Sequence, residues 1–145
     1  MRLIGPYISL LVLLLGCGDR EENEARLFLD RIVDVDPEDP VEDRRGKIDA
    51  VAALVLRNAD LIRVRDTCVS GHRALLTAED EQGRAAHSLA ALSDGDPEAQ
   101  LSEAEAQRIR AAIQTSNREL ARARELLTHC QQDVQALEHR YAKRR

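Results

Sequence analysis

The chain has 145 residues, a formal net charge of −5 and three cysteines, and only 2% of its residues are aromatic. The negative balance argues against nucleic acid as a partner, and an excess of alanine, leucine, arginine and glutamate describes long helices over a thin core. No G-x-S-x-G, H-E-x-x-H, phosphate-binding glycine loop or C-x-x-C-H pattern occurs, so the sequence carries no enzyme signature.

The chain opens with Met1-Arg2 and an apolar run over residues 3–15. About a dozen residues are too few for a permanent bilayer span but suit the core of a signal peptide. The run ends in Leu14-Leu15-Gly16-Cys17, which resembles the lipobox of bacterial lipoproteins: a small residue before the cysteine and leucine three before it. The resemblance covers only this segment. It implies diacylglycerol on the Cys17 sulfur, cleavage after Gly16 and acylation of the new amino terminus, leaving the protein anchored to a membrane of the cell envelope and facing the periplasm. Two or more acyl chains suffice for stable anchoring, where one is marginal. Residues 1–16 are therefore expected to be a signal peptide and 17–23 a polar, acylated tether.

Residues 24–145 form the expected folded domain. Over 24–35, Ala25, Phe28, Leu29, Ile32 and Val33 fall on one side of a helix, and Asp36-Pro37-Glu38-Asp39-Pro40 ends it. From 41 to 92 there is no proline and no loop cluster, so the pattern predicts one helix of roughly fifty residues, about 75 Å long. Glu42 and Asp43 suit its first turn. A break near Asn58-Ala59-Asp60 is the alternative, and would turn the base into a short four-helix bundle. Asp94-Gly95 and Asp96-Pro97 mark a tip, and Ser102 with Glu105 makes a capping box that starts a helix over 103–142. The basic tail, His139 to Arg145, complements the helix dipole. It also suits anionic headgroups beside an acyl anchor.

The two long stretches carry heptads. One seam has Leu61, Val64, Cys68, Gly71, Leu75, Ala78, Gln82, Ala85, Leu89 and Leu92; the other has Ala106, Ile109, Ile113, Ser116, Leu120, Ala123, Leu127, Cys130, Val134, Leu137 and Tyr141. In an antiparallel coiled coil, placing Cys68 opposite Cys130 fixes every layer: Val64–Val134, Gly71–Leu127, Leu75–Ala123, Gln82–Ser116 and Ala85–Ile113 follow. Small residues meet large ones, the two polar residues meet, and the two cysteines meet. The predicted fold is all-α: a long antiparallel, coiled-coil-like helical hairpin with a short N-terminal helix packed at its base. The flanking charges are mixed, with Asp60–Arg140 attractive and Glu81–Glu119 repulsive.

With Cys17 taken by lipid, Cys68 and Cys130 are expected to form a disulfide, in keeping with an oxidising compartment. A second reading makes Cys68, His72 and Cys130 ligands of zinc or copper in a periplasmic metal- or stress-sensing hairpin, since thiolate and imidazole one turn apart suit those metals. A further stripe, Ile48, Val55, Ile62, Val69 and Leu76, recurs every seventh residue outside the seam. A short N-terminal helix covers its start and leaves Val69 and Leu76 as a surface for a partner helix or a second copy. The function expected is that of a non-enzymatic, lipid-anchored structural or adaptor protein without a cofactor. A lipoprotein that pilots secretion components, similar in size and disulfide use, is the remaining alternative.

Overall fold

The computed structural model describes residues 16–93 and 102–142. Among the described residues four helices follow in order: α1 (Gly16–Val33), α2 (Val41–Ala52), α3 (Ala59–Ser93) and α4 (Glu103–Ala142). α3 and α4 lie against each other as an antiparallel hairpin, and α1 and α2 pack onto its base. Among the described residues no helix is long and apolar enough to cross a membrane. The expected signal peptide, save for Gly16, and the hairpin tip at 94–101 lie outside the described residues.

The heptad register holds where contacts define it. Cys68 and Cys130 are joined by a disulfide with Cα atoms 4.9 Å apart. Three residues on, the Cβ position of Gly71 lies 3.0 Å from Leu127 Cγ and Cδ2, so the layer that pairs the smallest residue with leucine is present. The flanking acids find partners on their own helices, with Glu81 at 2.9 Å from Arg84, Glu119 at 3.7 Å from Arg122 and Asp60 at 3.7 Å from Arg63. These i, i+3 pairs screen the repulsion that the register alone suggested. In the polar layer Ser116 is buried but Gln82 is exposed, so the glutamine does not sit inside the seam.

Two expectations about the elements are corrected. The segment 17–23, expected as a tether, is helical from Gly16, and α1 is 18 residues long rather than a dozen. The expected single helix over 41–92 is broken at 53–58, the alternative that gives a four-helix base. The break is made by tertiary and capping hydrogen bonds. Asn58 Oδ1 accepts the backbone N–H groups of Asp60 and Leu61 at 2.9 and 3.1 Å, capping α3. From α1, Glu24 Oε2 accepts those of Arg57 and Asn58 at 2.8 and 3.3 Å. The Arg65 guanidinium donates to the Leu54 carbonyl at 2.8 Å. Donors and acceptors freed by interrupting the helix are thereby met again.

The reversal sends α2 back along α3. Arg44 pairs with Glu79, Arg45 with Asp80 at 3.1 Å and Asp49 with Arg73 at 2.8 Å. Beneath these pairs Ile48 and Val51 are buried in one core with Val69 and Leu76. Phe28 and Ala25 of α1, both fully buried, close the core with Leu61, Val64, Leu137 and Tyr141. The capping box at α4 is reciprocal: the Ser102 N–H donates to Glu105 Oε2 at 3.0 Å and the Glu105 N–H to Ser102 Oγ at 3.3 Å.

Candidate functional site

The residues expected to form a partner surface are not available to a partner. Val69 and Leu76 are only 6% and 3% exposed, because α2 lies over the stripe to which they belong. A straight helix leaves that stripe bare, whereas a helix that turns back uses Ile48 to cover it. Val55 of the same stripe falls in the 53–58 connection and is 84% exposed.

The metal reading fails on chemistry. Both sulfurs are consumed in the disulfide, so neither Cys68 nor Cys130 offers a thiolate. His72 is half-buried, and burial together with the nearby Arg44 guanidinium pushes its imidazole below the usual range. A cation already sits close to the ring. Among the described residues no group of three His, Cys, Asp or Glu is arranged to hold a metal ion.

What the fold leaves open is the outer part of the hairpin. α2 reaches along α3 as far as the Arg45–Asp80 pair. Past it, the described structure is two helices side by side. Here the seam is closed on one line of α4 and open on the next. Ile109, Ser116 and Ala123 are buried, while Ile113 and Leu120 are 45% and 38% exposed. Nearer the base the corresponding residues of α4, Val134 and Tyr141, are covered. The bare residues thus continue a line that other helices bury lower down. Arg110, paired with Glu103 at 2.8 Å, and Arg124 lie on the same side of α4, three residues from Ile113 and four from Leu120. On the opposite side, Glu81, Arg84, Ala85, Arg108, Ile109 and Ala112 line an open groove of about 650 Å³.

The base of the bundle is the second distinctive region. Tyr141 Oη donates to Glu21 Oε1 at 2.6 Å, tying the end of α4 to the beginning of α1. Burial, the Glu21 carboxylate being next in effect, raises the phenol above its ordinary value. Accepting the Arg57 N–H holds the Glu24 carboxyl below its ordinary value. Cys17 lies in the first turn of α1, four residues before Glu21. Sequence reasoning had no means of finding this convergence, because Glu21 and Tyr141 are 120 residues apart. Compared with known protein families, with curated proteins and with solved structures, the chain matches none.

Proposed function

We propose that the protein is a non-enzymatic lipoprotein of the cell envelope, anchored through acyl chains on Cys17, that presents the outer half of its hairpin to another protein. The observation that carries this reading is the open line of Ile113 and Leu120 on a two-helix rod. A buried apolar line that emerges half-exposed is the geometry of a helix-in-groove site. The flanking Arg124 suits a partner helix with a carboxylate beside its apolar face. The Leu14-Leu15-Gly16-Cys17 motif supports the anchor.

A photo-crosslinker placed at position 113 of the full-length protein in intact cells tests the reading. A discrete adduct that is lost on adding Leu120→Glu is expected. An adduct indifferent to Leu120→Glu, or none from either 113 or 120, overturns the docking line. Cys17→Ser is expected to move the protein from the membrane pellet to the soluble fraction, and retention in the pellet overturns the anchor.

A further inference from the structure

Three parts of the chain meet at one end of the bundle. Glu21, bonded to Tyr141 at the end of α4, lies about 6 Å along α1 from Cys17, and Glu24, bonded to the 53–58 connection, lies about 10 Å along it. Val55 projects from that connection and is 84% exposed, well above Val33 at 69% and Leu27 at 45%. Its exposure is not slackness. The Leu54 carbonyl on one side is held by Arg65 and the Arg57 N–H on the other by Glu24. An apolar side chain fixed in water gains nothing from this fold.

The charges around Val55 are not symmetric. Arg57 follows two residues later and Arg140 precedes Tyr141, whose hydroxyl its side chain also contacts, and both arginines are exposed. Three carboxylates at this end are already engaged: Glu21 by the Tyr141 hydroxyl, Glu24 by two backbone N–H groups and by Arg20 at 3.4 Å, and Asp60 by Arg63. One protruding valine two residues from an exposed arginine, at the end of the bundle that bears the acylation cysteine and Arg140, fits a lipid surface. Valine is of a size to enter the boundary between headgroups and acyl chains, and guanidinium groups recognise lipid phosphates.

We infer that this end of the bundle is a second membrane contact, in which Val55 enters the interfacial layer while Arg57 and Arg140 meet phosphates. The inference rests on the anchoring reading of Cys17 and adds an orientation to it. Two contacts, the anchor and the 53–58 connection, fix the base against the bilayer. The hairpin then rises from it, with Leu120 and Ile113 held about 30 and 40 Å above the surface.

The sequence contains no tryptophan, so Val55→Trp in the full acylated protein makes a single reporter. The protein is reconstituted on vesicles of phosphatidylethanolamine and phosphatidylglycerol containing lipid brominated in the acyl chains, and Ile113→Trp serves as comparison. Trp at 55 is expected to shift to the blue and lose most of its emission to bromine, and Trp at 113 to do neither. Adding Arg57→Glu and Arg140→Glu is expected to restore emission at 55 while the protein still floats with the vesicles. Protein that floats with Trp at 55 as unquenched as at 113 overturns the contact and leaves the anchor standing. Protein that neither floats nor is quenched overturns both.

Discussion

Arg44 of α2 meets Glu79 of α3 through two guanidinium nitrogens, across 35 residues of sequence. The arginine side chain is 7% exposed and the carboxylate 31%, and the Arg44 Nε also donates to the Asp39 carbonyl at 3.0 Å. A bidentate pair of this kind fixes where α2 lies on α3. Glu79→Gln leaves a buried guanidinium without its counter-charge and is expected to destabilise by about 2 kcal/mol. Urea unfolding followed by circular dichroism measures it. An unchanged midpoint means that α2 is held by Ile48 and Val51 alone.

The disulfide closes a loop spanning a sequence separation of 62. In the chain-entropy model that stabilises by about 4 kcal/mol, a large share for a fold with so thin a core. The double variant Cys68→Ala with Cys130→Ala is expected to show a lower urea midpoint, and oxidised wild type with reductant added to approach it. Equal midpoints for the oxidised protein and the double variant contradict the bridge as a source of stability.

Glycines at different places in the helices are expected to respond oppositely to alanine. Gly46 and Gly83 have nothing within 4 Å of an added Cβ. Alanine there is expected to add about 0.5–1 kcal/mol through the lower entropy of the unfolded chain and better helix propensity. At Gly71 the added carbon meets Leu127 at 3.0 Å and Leu126 Cβ at 3.1 Å, in the layer next to the disulfide. Gly71→Ala is expected to gain nothing and Gly71→Val to lose stability. Thermal midpoints of the four variants read the contrast.

Mild acid is expected to weaken the fold through His72. Burial and Arg44 lower the folded imidazole below its ordinary value, so the unfolded chain takes up the proton first. Stability then falls as pH drops below about 6.5, the unfolded value, and levels off once the folded ring is also protonated. His72→Gln is expected to shrink the difference between urea midpoints measured at about pH 8 and about pH 5. Glu24 acts lower on the scale. Its folded carboxyl is depressed, so its contribution is lost as pH falls through that depressed value.

The hairpin and its register were legible because heptads repeat what they encode, and the Cys68–Cys130 and Gly71–Leu127 layers follow from one choice of alignment. The interruption at 53–58 was harder to read. Its residues, Ala-Leu-Val-Leu-Arg-Asn, include neither glycine nor proline, and only Asn58 signals a cap. The decisive partners, Glu24 and Arg65, act on it from other elements. An unbroken helix leaves Val69 and Leu76 on the outside, and the alternative break near Asn58 covers them. The bare line lies on α4, at Ile113 and Leu120, and not on α3. Periodicity identifies which residues share a side of a helix, and only the packing of neighbours decides which side stays wet.

The position of the sulfur bridge has a consequence for survival under proteolysis. It joins the two long helices inside the four-helix base, in one core with Val69 and Leu76. Any single cut in the backbone between Cys68 and Cys130 therefore yields two polypeptides that remain one molecule. A protease that clips the far end severs the chain without setting the second half adrift, and the piece bearing Cys17 keeps hold of its mate.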